Sequence, residues 1–253
     1  MLSYQHAYHA GGPADLHKHI VLAELLALLT RKKRPITYME THAGRGLYDL
    51  NSVETAKTGE ADEGIARLTL PECAFTDAVQ AIRTQHGKTA YPGSPAIAQA
   101  LLRPDDRLHL MELHPAEHTA LKSNIKGANI SIHHRDGREA VLGISPPKPR
   151  KGLVLIDPSY EVKDEYLETA AFTLKLMAKW PEATVLIWYP ILDAARHKEM
   201  LAALRVPHLV DEVSFNLKGG KGMKGSGLAL VNAPYGAEET FKRARELGAP
   251  VLR

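Results

Sequence analysis

In the stretch Leu153-Val154-Leu155-Ile156-Asp157-Pro158-Ser159-Tyr160, four consecutive aliphatic residues run straight into a carboxylate, a proline and an aromatic ring. An apolar run without alternation predicts a strand buried on both faces, as at the centre of a parallel sheet. Such a strand carries Asp157 to its carboxyl end, the edge at which open α/β sheets bind ligands. Chemically the set can hold an amino-substituted ring. Asp157 accepts a hydrogen bond from an exocyclic N–H, and Pro158 offers a carbonyl with no N–H to compete. Tyr160 offers a stacking face, typically worth ~1–3 kcal/mol per base. The competing reading is a plain turn with a packed tyrosine.

On both sides of this strand the pattern alternates. Ile20, Val21, Leu25, Leu28 and Leu29 recur at helical spacing and predict a helix over 14–31, stopped by Pro35. A short buried strand over 36–39 leads into the turn His42-Ala43-Gly44-Arg45-Gly46. Downstream, strands are expected over 107–112, 129–133, 152–156 and 184–189, with helices over 115–126, 137–142, 164–179 and 192–204. Strands over 210–217 and 228–231 close the pattern as a hairpin. The implied architecture is α/β, a mostly parallel sheet covered on both faces with one antiparallel strand. Between about 47 and 103 the rhythm breaks. Helices over 62–70 and 71–86, a turn at 91–95 and a short helix to 102 read as a helical insertion within one domain spanning 1–253.

The other strand ends then become the places to look for chemistry. The glycine turn lets backbone approach a ligand closely, but only Gly44-x-Gly46 is present, short of a full dinucleotide fingerprint. Glu112 ends the second long strand and can accept both hydroxyls of a ribose, or is simply a solvated carboxylate. Asp136-Gly137 follows the third; Asp136 can bind an adenine amine or cap a helix. Two further segments are open to similar pairs of readings. The tail Tyr4, His6, Tyr8, His9 is aromatic and nearly uncharged, suited to stacking on unpaired bases or to packing as an ordered terminus. The Gly/Lys loop 218–227, with Lys221 and Lys224, is a candidate phosphate contact or a flexible connection.

Whole-chain properties exclude several classes. The 253 residues carry a net charge of +3, which permits nucleic-acid binding without demanding it. The single cysteine, Cys73, forms no internal disulfide, as expected in a reducing compartment. No basic-then-apolar leader and no apolar run near ~20 residues is present, so a cytoplasmic protein without membrane spans is expected. His6-x-x-His9 and His17-x-His19 lack further ligands at useful spacing, so no metal is expected. A monomer is the working expectation for the oligomeric state.

Taken together, these residues carry a family resemblance. Asp157-Pro158-Ser159-Tyr160 is similar to the D-P-P-Y motif of adenine-N6 methyltransferases, with Ser159 where the second proline stands. Leu2-Ser3-Tyr4-x-His6-x-x-His9-Ala10-Gly11, Lys18-His19, Thr41-His42-Ala43-Gly44-x-Gly46, Thr58-Gly59-Glu60, Tyr91-Pro92-Gly93-Ser94-Pro95 and Glu112-Leu113-His114-Pro115 resemble the RlmJ family, which methylates an adenine of large-subunit ribosomal RNA. The resemblance implies a class I, Rossmann-like methyltransferase fold and S-adenosylmethionine as cofactor. It implies cofactor contacts from Lys18, His19, His42, Gly44, Ser94, Glu112, Asp136, Gly137 and Asp157. Catalysis would fall to Asp157 with Pro158 and Tyr160, and substrate contact to Tyr4, with His6, His9, Lys221 and Lys224 beside it. The implied partner is large-subunit ribosomal RNA, protein-free or in early assembly. A DNA adenine methyltransferase is the first alternative, although no separate module for reading a duplex is visible. A non-catalytic nucleic-acid-binding protein acting in DNA uptake or use is the second, and Ser159 is its best support.

Overall fold

The computed structural model describes residues 6–69, 71–215 and 223–253. After a single 3-10 turn at His6–Tyr8, α1 spans Pro13–Thr30 and β1 Thr37–Glu40. The insertion follows: β2 (Leu47–Asp49), α2 (Val53–Thr58), α3 (Glu60–Glu63), a 3-10 turn (Ile65–Arg67), α4 (Ala74–His86), β3 (Ala90–Pro92) and α5 (Ser94–Leu101). Then come β4 (Arg107–Met111), α6 (Pro115–Asn124), β5 (Ile130–His133), α7 (Gly137–Ile144), β6 (Gly152–Ile156) and α8 (Glu165–Lys179). The chain finishes with β7 (Ala183–Ile191), α9 (His197–Ala203), β8 (His208–Ser214), β9 (Gly225–Val231) and α10 (Ala237–Gly248).

Among the described residues, seven strands form one sheet in the order β5-β4-β1-β6-β7-β9-β8. Every pairing on the β5 side of β7 is parallel, and β9 alone runs antiparallel, inserted between β7 and β8. β6 is central, with all five residues buried, as its unbroken aliphatic run requires. Strand order reverses between β1 and β6, because β4 pairs one side of β1 and β6 the other. That reversal opens a crevice at the carboxyl ends of the two strands, where ligands of such sheets sit. No helix among the described residues is long and apolar enough to cross a membrane.

Several elements differ from the sequence expectations: α2 and β2 form in a stretch read as polar, α9 is shorter than the helix expected over 192–204, and three further differences have a visible cause. The helix expected over 62–70 is broken into α3 and a 3-10 turn. Gly64 lies against Gly11 and Gly12 so closely that a Cβ would stand 2.1 Å from the Gly11 carbonyl oxygen, and Ile65 N–H donates to that same oxygen at 2.9 Å. The helix is interrupted where the chain before α1 is pinned. Tyr91 and Pro92, expected to begin the turn over 91–95, instead belong with Ala90 to β3, which pairs antiparallel with β2. Finally, α10 was not anticipated, although Ala237, Thr240, Phe241, Ala244 and Gly248 bury one helical stripe and pack on α1.

Candidate active site

At the carboxyl edge of the sheet lies a cavity of about 430 Å³, within the ~300–1,000 Å³ usual for small-molecule sites. Asp157 reaches it from the end of β6, Glu112 from the end of β4, Asp136-Gly137 from the loop after β5, and His42 to Gly44 from the turn after β1. Gly137 must be glycine there, since a Cβ would fall 1.9 Å from the Thr41 carbonyl oxygen. Lys18 and His19 enter from α1, and Ser94 from the start of α5. All nine residues for which cofactor contact was expected line this one cavity, together with Pro158 and His6.

The cavity is strongly acidic. Among the described residues, seven carboxylates line it (Glu112, Glu117, Asp136, Asp157, Glu161, Glu165, Glu168), against two permanent cations, Lys18 and Arg138. Both cations are engaged. Lys18 Nζ donates to Asp157 Oδ2 at 2.6 Å and lies 3.1 Å from Asp15 Oδ1. Arg138 pairs with Glu168 and lies 3.8 Å from Glu165. Asp15 is buried; burial pushes its carboxyl up, but His6, Lys18 and His19 outweigh this and hold it well below the usual carboxylate range. Arg45 neutralises Glu117 through two hydrogen bonds.

Glu112 accepts the Gly44 N–H and the His114 N–H, each at 2.7 Å, so its two oxygens are held at fixed positions by backbone. Burial still raises its carboxyl above the ordinary value. Asp136 caps α7 by accepting the Glu139 N–H at 2.9 Å, the helix-capping role open to it in the sequence, while its second oxygen is left on the cavity. His42 shares a hydrogen bond with Thr41 Oγ1 at 2.8 Å; burial, with help from Arg138, brings it down to about 4, so the ring is neutral. His19 bonds Tyr91 through Nδ1 at 2.9 Å and is pushed by burial to about 3. Its Nε2 has no hydrogen-bond partner among the described residues, an orphaned buried atom on a cavity wall.

The implied cofactor fits these observations. A nicotinamide dinucleotide brings a diphosphate, which seven carboxylates would repel. S-adenosylmethionine brings no phosphate and carries positive charge at sulfur and amine, which the same carboxylates attract. Paired hydroxyls suit the fixed Glu112 oxygens, and the orphaned His19 Nε2 can serve a further polar group.

A family model described as "Ribosomal RNA large subunit methyltransferase D, RlmJ" matches residues 33–249. The chain belongs to the RlmJ family. It is 36% identical to the ribosomal RNA large subunit methyltransferase J of Haemophilus influenzae, over 96% of this chain and 91% of that protein. The Escherichia coli protein of the same name is 34% identical over 94% and 90%. A crystal structure of a Legionella pneumophila protein superposes with a TM-score of 0.83 at 35% identity, covering 96% of this chain and 95% of that one. A probable spermidine synthase from Corynebacterium glutamicum shares the fold alone, with a TM-score of 0.52 at 10% identity over 93% and 73%. The sheet is that of the class I methyltransferases.

Within this RlmJ-family chain, not every expected residue reaches the cavity. Tyr160 is the main correction. Its backbone takes φ +55°, and its ring turns into the protein, packed 4.3 Å from the Tyr166 ring. Its hydroxyl donates to the Trp188 carbonyl at 2.8 Å. In this conformation it offers no stacking face; it braces the loop that carries Asp157. His9 lies off the cavity wall, bonded to Glu60 at 2.8 Å, which raises its pKa. Lys224 sits at the carboxyl edge where β9 begins, 3.7 Å from Asp193. Tyr4, Lys221 and the first half of the Gly/Lys loop lie outside the described residues.

Two residues behind the cavity wall, each in contact with a lining residue, escaped the sequence reading. Glu40 ends β1 and is fully buried, accepting hydrogen bonds from Ser94 and from Tyr38 Oη. Burial, reinforced by Asp157, raises it to about 8, so it is a neutral acid at neutral pH. Its signal was present: a carboxylate closing the strand before a glycine turn. Trp188 is the other. Its ring lies 5.7 Å from Lys18 Nζ, and its Nε1 donates to Ser226 Oγ at 2.8 Å. Ser226 and Asp211 each hold one nitrogen of His17 at 2.9 Å, and Arg245 completes the chain on Asp211.

Proposed function

We infer that this protein is an S-adenosylmethionine-dependent methyltransferase acting on large-subunit ribosomal RNA, and we propose N6 of an adenine as the acceptor. Family membership carries the first statement. The pairing of Asp157 with the Pro158 carbonyl at the end of β6 carries the second. Glu112 and Asp136 would hold the cofactor's ribose and adenine amine, and His19, His42 and the Gly44 turn its amino-acid end. When bound, S-adenosylmethionine supplies an electrophilic methyl group on sulfur.

The chain's own task is to make a poor nucleophile reactive. The lone pair of an adenine amine is conjugated with the ring. Lys18 occupies Asp157 Oδ2, leaving Oδ1 to accept one amine N–H while the Pro158 carbonyl accepts the other. Those two bonds favour a pyramidal nitrogen whose lone pair points out of the ring plane. As positive charge grows on nitrogen, the bond to the anionic Asp157 strengthens more than any ground-state contact, which is where catalysis is gained. Asp157 is then placed to take the departing proton. The neutral Glu40 adds no second negative charge behind it.

The side chain of Asp157 is only 12% exposed, so a stacked base cannot reach it. The adenine must be unpaired or extruded. This supports a preference for protein-free or early-assembly RNA, in which the target is not yet covered. The test is transfer of labelled methyl to protein-free large-subunit RNA, to intact subunits and to duplex DNA at one salt concentration, with mass mapping of the product. A single N6-methyladenine in the free RNA is expected. Faster transfer to duplex DNA overturns the RNA assignment.

A further inference from the structure

The opposite edge of the sheet, away from the cavity, concentrates positive charge. The loop before β1 carries Arg31, Lys32, Lys33 and Arg34, all exposed. The loop before β4 adds Arg103 and the first residue of β4 is Arg107; the loop before β6 adds Lys148, Arg150 and Lys151, and that before β5 Lys126. Because β5, β4, β1, β6 and β7 are successive neighbours in the sheet, the loops at their amino ends lie side by side. Five strands about 4.8 Å apart span roughly 19 Å, enough for several phosphates of one backbone.

These five loops together with Arg107 hold ten basic residues against three acidic ones, Asp105, Asp106 and Glu182, a local excess of seven positive charges. The whole chain is only +3, so everything else sums to −4. Asp106 is taken by Arg103 and Glu182 by Arg150. Among the described residues no ion pair to an acid is found for Lys32, Lys33, Arg34 or Lys148. Their proximity is felt: burial first, then Arg34 and Lys32, lower the pKa of Lys151. Self-repelling charge of this kind is unfavourable for the free protein and is relieved by a polyanion. The cavity mouth, with its seven carboxylates, is a poor place to attract phosphates.

We propose that this amino-edge face is a second RNA-binding surface, holding the phosphate backbone of a part of the substrate RNA remote from the target adenine. The cavity then receives the extruded base while the far face supplies most of the electrostatic affinity. This rests on the reading of the chain as a ribosomal RNA methyltransferase. It requires an RNA large enough to reach both edges of the domain, as large-subunit RNA is.

The test uses a fourfold variant, Lys32→Gln, Lys33→Gln, Arg34→Gln and Lys148→Gln, with Lys33→Glu alone as a milder control for folding. Each is assayed on a large-subunit RNA fragment of several hundred nucleotides and on the shortest stem within it that the wild type methylates. For the fragment, KM should rise at least tenfold at unchanged kcat. The log–log salt slope of fragment binding should flatten by about 3, at roughly 0.7–0.9 for each phosphate no longer neutralised. Kinetics on the stem and cofactor affinity should not change. An unchanged slope and KM on the fragment, or equal losses on stem and fragment, overturns the proposal. If the wild type methylates neither RNA, the functional reading fails, and the salt slope of fragment binding still decides the surface.

Discussion

Breaking the Lys18–Asp157 pair separates what the carboxylate does for the fold from what it does for the reaction. At 2.6 Å two unit charges attract by about 6 kcal/mol at an effective dielectric of 20, before desolvation is subtracted. Removing one partner of a buried pair typically costs ~3–5 kcal/mol, because the other is stranded. Asp157→Asn does not strand Lys18, since Asp15 remains 3.1 Å away; a loss of about 1–2 kcal/mol is expected. Lys18→Met is worse, about 3–4 kcal/mol, because the buried Asp15 loses its one permanent cation. In the double variant the two losses should fall short of additivity by at least ~1 kcal/mol. Urea unfolding measures the cycle, and labelled-methyl transfer is followed on the same four proteins. Asp157→Asn should bind S-adenosylmethionine within about threefold of wild type, while transfer falls at least a thousandfold, or about 4 kcal/mol of barrier. The double variant should be more stable than the sum of the two losses predicts, yet show no activity. If it regains transfer, Asp157 serves only to neutralise Lys18 and the mechanism is wrong. If the stabilities add, the pair does not form in solution.

Glu112→Ala should weaken cofactor binding by about 1.5–3 kcal/mol, the worth of charge-assisted bonds to a ribose; unchanged affinity by titration calorimetry removes Glu112 from the site. Glu40, raised from its ordinary 4.5 to about 8 by burial, binds a proton in the folded state that the unfolded chain lacks between those values. Wild-type stability should therefore fall, relative to Glu40→Gln, as pH rises from about 4.5 to 8, by on the order of 2–4 kcal/mol, and parallel unfolding curves at pH 5 and 8.5 would contradict this. Neutral His19 and His42, at about 3 and about 4, act in the other direction: their contribution is present above about 6.5 and lost as pH falls toward those values. Ser226→Ala should shift the emission of Trp188, read in a Trp180→Phe background, and lower kcat severalfold at unchanged cofactor affinity; loss of thermal stability alone would make the His17 chain purely structural.

The sheet was legible because its central strands β6 and β7 bury both faces and so announce themselves as aliphatic runs; β6 has the bounds its sequence predicts. The cavity walls were legible for a topological reason: ligands gather at strand ends, and a strand end is the residue after an aliphatic run. What failed depended on backbone or side-chain direction, which composition does not encode. Tyr160 follows the motif in sequence, yet its positive φ swings the ring inward. The strand pair β2–β3 unites segments some forty residues apart, and three-residue strands carry no detectable period. Glu40 was passed over because a carboxylate inside a buried strand reads as its edge, not as a neutral acid.

Helix α1 shows why local pattern cannot assign such roles. Fourteen of its eighteen residues are buried, since α10, the insertion and the sheet all pack on it. A helix enclosed on every side has no polar face to spare, so each polar residue on it must find a partner within the protein. Three consecutive residues do so in three directions. His17 bonds Asp211 and Ser226 of the antiparallel corner, Lys18 bonds Asp157 at the centre of the sheet, and His19 bonds Tyr91 of the insertion. At helical spacing, successive residues point about 100° apart, so one turn of α1 ties together the three regions that surround the cavity. The position of the Asp157 carboxylate, proposed above as the catalytic group, is thereby set by a helix more than a hundred residues away in sequence. That is why changes at His17 or Ser226, neither of which lines the cavity, are expected to register in turnover.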